Sequence, residues 1–179
     1  MSRETGFHFL ITAMALVTVW LLQLLPEPAA GIVGLFSPTL FFAVLIAILC
    51  GPVYAGFFGV AAPLIGFFLF RSPAFFPEVL SEMISFGIAG ITAGLLYYFF
   101  RTSVGTAAGS ILSWILSYAL SKLTALIVAG ESYDFLTFLT DVFLKRGLGI
   151  VLTMSLIPLL IVRFRKKRIM WVLRRERLE

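Results

Sequence analysis

The feature that most constrains this chain is a succession of long apolar runs, separated by short breaks rich in proline, glycine or charge. The first, Phe7 to Leu25, would cover roughly 28 Å as a helix at ~1.5 Å per residue, close to the ~30 Å thickness of a bilayer's hydrocarbon core. Lipid offers the backbone no hydrogen-bonding partner, so only helices or a closed barrel can span it, and unbroken runs favour helices over the alternating pattern of barrel strands. The expected fold class is therefore an all-α integral membrane protein. Composition agrees: 60% of the residues are hydrophobic, 13% are charged and mean hydropathy is +1.05. A soluble domain carries roughly a quarter charged residues.

The breaks predict six spans, at about 7–25, 33–50, 53–70, 78–100, 105–129 and 142–162. Pro26 and Pro28 end the first, because proline removes a donor and disfavours helical geometry in the residue before it. That run exceeds the usual h-region of a secretory signal peptide, so it is read as a span. The second span is short unless it begins near Ile32, and Gly51-Pro52 makes a tight turn into the third. Arg71 to Pro77 gathers prolines, aromatics and one charge before the fourth, and Gly130 to Asp141 reads as an acidic, aromatic connection before the sixth.

Charge sets the expected orientation. Residues 163–179 hold eight Arg or Lys and two Glu, 8 − 2 = +6, against +5 for the whole chain. A basic tail beside a final span is the positive-inside signal and suits anionic headgroups, so this tail is expected in the cytoplasm and nucleic acid is not the partner it implies. Six spans place both termini on that side, with Arg3 and Arg101, while Arg71, Lys145 and Arg146 fall outside. Cys50 stands alone, which excludes an internal disulfide; one Cys and one His make a metal centre implausible, and no cofactor is expected.

Two patterns carry the packing and the chemistry. Gly105, Gly109, Ser113, Ser117, Ser121, Ala125 and Ala129 recur every fourth residue along the fifth span, a small-xxx-small ridge that lets helix backbones approach; Gly90 and Gly94 repeat the spacing in the fourth. Ionisable groups inside spans are costly and face a partner or a wet cavity, which singles out Glu82, Lys122 and Arg146. In the inferred topology all three lie in the outer half of the bundle, under loops bearing Phe75, Phe76, Tyr133, Phe135 and Phe138. These rings are read either as a lid or as an interfacial aromatic belt. Snorkelling or mutual pairing is the alternative to a polar pocket for the charges.

The strings SPTLFFAVLIAILCGPVYAGFFG, PAFFPEVLSEMISFGIAGITAGLLYYFF and GLGIVLTMSLIPLLIVRFRKK, in this order and spacing over roughly residues 30 to 168, resemble the membrane S components of energy-coupling factor (ECF) vitamin importers. The resemblance implies a binding subunit for a water-soluble vitamin or precursor, pantothenate being the first expectation, in the cell membrane of a prokaryote. Its partners would be a transmembrane coupling subunit and two cytoplasmic ATPases, with no catalysis of its own. The ligand would lie among the fourth to sixth helices and outer loops. Candidate substrate contacts are Glu82, Ser85, Lys122, Arg146, Arg71, Phe75, Phe76 and Phe135. The family's first helix offers small residues to the coupling subunit; here those are Ala13 and Ala15, with Val17 four after Ala13.

A membrane scaffold of the cell-shape type, with no ligand, is the competing class. An intramembrane protease is not supported: His8 is the only His, and Ser121 and Lys122, as neighbours on a helix, point about 100° apart.

Overall fold

The computed structural model describes residues 3–24, 37–70, 76–100, 103–129 and 135–166. These form six α-helices, with no strand among the described residues: α1 (Arg3–Gln23), α2 (Pro38–Leu49), α3 (Pro52–Phe70), α4 (Phe76–Phe100), α5 (Ser103–Ala129) and α6 (Phe135–Lys166). Three contain stretches long and apolar enough to cross a membrane, Thr5–Leu22, Pro52–Leu69 and Glu78–Phe100. Large apolar side chains such as Phe9 and Met14 on α1, Phe57 and Phe68 on α3 and Leu95 on α4 are exposed. So extensive an apolar exterior suits a lipid solvent.

Helix α2 is the centre of the bundle. It touches all five other helices, and Leu40, Phe41, Ala43, Val44, Ile46, Ala47, Ile48 and Leu49 are all buried. A helix apolar all round has no face to offer water, and here neighbours cover it. Its twelve residues reach only about 18 Å, too little to span alone. Residues 33–36, counted into this span from hydropathy, lie outside the described residues. Its far end turns sharply into α3: Gly51 takes φ 102°, a left-handed conformation open to a residue without Cβ, and Pro52 begins the next helix.

Helices α3 and α4 pack with their backbones almost touching. A Cβ on Gly59 would lie 2.5 Å from the Phe86 carbonyl carbon and oxygen, and one on Gly90 would lie 2.9 Å from the Ala55 carbonyl oxygen. The spacing of Gly90 and Gly94 thus serves the α3 contact, Gly94 meeting Pro52. The α5 ridge packs on the other side of α4. Gly109 faces Ala93 and Leu96, the Ser113 hydroxyl shares its one proton between the Gly109 carbonyl at 2.7 Å and the Ala89 carbonyl at 3.1 Å, and the Ser81 hydroxyl donates to the Ser121 carbonyl at 3.3 Å. Each step along α5 is matched by an equal step back along α4, so the two are antiparallel and the register sets Ser117 opposite Ser85.

Several helix boundaries lie outside the stretches read from hydropathy. Helix α6 starts at Phe135, within the stretch read as a connection, and continues to Lys166, past Val162. Phe76, read as a loop residue, is the first residue of α4, and α1 begins at Arg3, before the apolar run. Hydropathy marks where lipid replaces water, whereas intrahelical hydrogen bonds continue across that boundary.

Candidate functional site

An apolar layer lies between α2, α4 and α5. Leu40 of α2, Ala89 of α4 and Trp114 of α5 are buried together, with Phe86 and Ile150 packed against them. The Trp114 indole Nε1 donates to the Thr153 hydroxyl at 3.2 Å, which in turn donates to the Gly149 carbonyl at 2.6 Å. This chain satisfies the indole without water and holds α6 to α5 at the same level.

Glu82, Lys122 and Arg146 can be placed against that layer by helical rise. From Ala89 to Glu82, from Trp114 to Lys122 and from Thr153 to position 146 the helices climb about 10, 12 and 10 Å. The connection 130–134 is short enough that α6 must return antiparallel to α5, so all three climb toward the same end of the bundle. At that end Phe67 meets Phe76 and Ser81 meets Ser121, whereas His8, Cys50 and Tyr54 gather at the other. Helix α2 begins only two residues before Leu40, about half a turn, so the charged level lies beyond its first residue.

Helical phase places them on the inner side as well. On α5 the line Ser113, Ser117, Ser121 packs on α4, and the adjacent line Trp114, Tyr118, Lys122 lies one step, about 100°, round the helix, on the side where Trp114 meets Leu40 and Thr153. On α4 the line Ser81, Ser85, Ala89 packs on α5, and Glu82 lies about 100° round, in the sector of Phe86 and Ala93. Because the two helices run antiparallel, one step forward on each turns toward the same side of the pair. Glu82 and Lys122 are half-buried there, and the Lys122 Nζ stands 5.6 Å from the centre of the Tyr118 ring. Position 146 falls within about 20° of Thr153 on α6, on the stripe that buries Thr153 and Ile157.

The remaining candidates are distributed unevenly. Ser85 is buried on the α4 packing line, opposite Ser117, and its Oγ has no hydrogen-bond partner. Phe76 is half-exposed and stands edge-on to Phe67 at 5.7 Å, on the α3 side of α4 and away from Glu82. Arg71, Phe75 and Tyr133 lie outside the described residues; Phe135, Phe138 and Arg146 lie on α6 with their side chains outside them. On α1, Ala15 is buried in the core and Ala13 is half-covered, while Val17 is exposed. Sequence reasoning passed over Tyr118, Trp114 and Thr153. The signal was present as the spacing Trp114, Tyr118, Lys122, one residue after each serine of the ridge.

Compared with protein-family models, curated proteins and solved structures, the chain matches none.

Proposed function

We propose that the protein is the substrate-binding S component of an ECF-type importer, a six-span membrane subunit that captures a water-soluble vitamin or precursor, pantothenate first among them. The position of Glu82 and Lys122 supports this reading: both are half-buried on one side of the α4–α5 seam, about 10–12 Å along their helices from the layer of Leu40, Ala89 and Trp114. A charge within a membrane helix is costly unless it meets a partner or a wet cavity, and charges gathered at one level of a helix bundle suit a site for a polar solute. On this reading the charged end faces outward, both termini and the basic tail are cytoplasmic, and the chain sits in the plasma membrane of a prokaryote. Energy comes from partners, a transmembrane coupling subunit and two cytoplasmic ATPases; the chain itself catalyses nothing. Ala13, on the half-covered side of α1, is better placed than Ala15 for contact with the coupling subunit.

The test is native mass spectrometry of the full chain released from detergent, expecting an added mass of a B-vitamin-sized molecule that dissociates on activation. A protein that carries no such mass and takes up none from a vitamin mixture would return the ligand-free scaffold to first place.

A further inference from the structure

On the outside of the bundle the seam between α3 and α4 opens into a groove of about 770 Å³. Val53, Phe57 and Val60 wall it on α3, and Ile84, Ile88 and Ile91 wall it on α4; all six are exposed, while Gly56 and Gly87 at its base are buried. Every residue that lines it is apolar or glycine. The groove follows from the close approach of the two helices, because the glycines that allow it leave no side chain at the base. A Cβ on Gly56 would lie 2.8 Å from Ile91 Cγ1, and one on Gly87 would lie 3.0 Å from Val60 Cγ2.

We infer that this groove seats one acyl chain of a membrane phospholipid, in the leaflet on the side of the α2–α3 turn. Its only premise is the membrane setting. The groove runs from Pro52 to Val60 on α3 and from Met83 to Leu95 on α4, about 12 and 18 Å at ~1.5 Å per residue. That is about half of a ~30 Å hydrocarbon core, the share of a single leaflet. A partner helix would cross the whole thickness, yet the groove stops at the level of Val60 and Met83, and further along Phe67 and Phe76 bridge the two helices. The chemistry of the walls points the same way. Helices join within a membrane through small residues that let backbones approach and through hydrogen bonds between side chains and their neighbours. This chain uses both inside the bundle, with Gly59 and Gly90 between α3 and α4, and Ser81 and Ser113 between α4 and α5. The groove offers neither: branched and aromatic walls keep another backbone away from its glycines, and no lining side chain carries a polar group. A flexible hydrocarbon chain needs no hydrogen bond and follows an uneven wall, and it meets more atoms in a concave seam than on a single convex helix.

The test places the full chain in vesicles of phosphatidylethanolamine and phosphatidylglycerol, doped with a phospholipid that bears a photoreactive diazirine midway along one acyl chain. Cross-linked sites are then mapped by peptide mass spectrometry. The reference surface is the exposed apolar face of α1 at Phe9, Leu10 and Met14, which lies in the same half of the membrane because His8 meets Tyr54. Adducts on the groove walls exceed those on α1 about fivefold, scaled to exposed area. Ile88→Trp fills the groove from an exposed position and removes that excess, with α1 labelling and Tm unchanged. Val53→Trp, at the end of the groove beside Pro52, does the same and serves where Ile88→Trp does not fold. Labelling of groove and α1 in proportion to exposed area overturns the proposal, because the groove would then hold only exchanging bulk lipid. An excess that survives both variants also overturns it. Groove labelling below that of α1, together with a dimer mass in native mass spectrometry, seats a second copy there instead of lipid and overturns it as well.

Discussion

Replacing Gly59 by alanine isolates the tightest contact among the described glycines. The added methyl would meet the Phe86 carbonyl carbon and oxygen at 2.5 Å and the Gly87 nitrogen at 2.6 Å, all backbone atoms that no rotamer change can move. Restoring ordinary contact requires α3 and α4 to part by about 1 Å, a gap that forfeits a quarter to a half of each dispersion contact along the seam. Overpacking of this kind costs about 1–3 kcal/mol, against a gain of up to ~1 kcal/mol from replacing glycine in a helix. The net loss is about 1–2 kcal/mol, or roughly 2–8 °C in Tm for a chain of this size. Gly109→Ala is the internal reference: its methyl would meet Leu96 Cβ at 3.5 Å, ordinary contact, so its Tm stays level or rises. Thermal unfolding in one detergent at one scan rate compares the two. A Tm for Gly59→Ala at or above that of Gly109→Ala would refute the close approach, and with it the placement of Phe86 in the apolar layer.

Other substitutions test the remaining parts of the argument. On the proposed function, Lys122→Ala and Arg146→Ala each weaken the bound ligand's Kd about tenfold or more, since a charge-assisted bond contributes ~1.5–3 kcal/mol; unchanged affinity in both, measured by calorimetry, would remove them from the site. Trp114→Phe keeps the ring but deletes the bond to Thr153, and about 1 kcal/mol of stability goes with it; an unchanged Tm would mean that this bond does not tie α6 to α5. Phe58, fully buried, loses about 3–5 kcal/mol on replacement by alanine, read as a large fall in Tm. In a Cys50→Ala background, a cysteine at the exposed position Thr137 reacts with a membrane-impermeant thiol reagent on intact cells; labelling only after lysis would reverse the proposed orientation.

What could be read without the fold depends on which physical quantity a residue reports. Apolar run length fixed the helical class, because lipid leaves the backbone no alternative to internal hydrogen bonding. The four-residue ridge of α5 signalled close packing, because small side chains at that spacing always form a continuous line on a helix. That the line meets α4, and that Gly90 and Gly94 meet α3 instead, depends on which neighbours fold against them. The unusual positions of Glu82 and Lys122 were legible from cost alone, as charges inside apolar runs.

Convergence was a different matter. Depth along a helix follows from counting residues, yet the common side of Glu82 and Lys122 requires the Ser81 to Ser121 and Ser113 to Ala89 register, which couples residues distant in the chain. Trp114 read as one more apolar residue until Thr153 and Leu40 closed around it. Phe76, placed by sequence in the connection before the fourth span as part of a lid or an aromatic belt, is the first residue of α4 and sets its ring against Phe67. Local sequence determined the helices and their solvent, since those depend on each residue's own transfer free energy and on period along one chain. Only the tertiary structure decided which faces meet and which hydroxyls reach across to a neighbouring helix, because those depend on pairs of residues brought together from different helices.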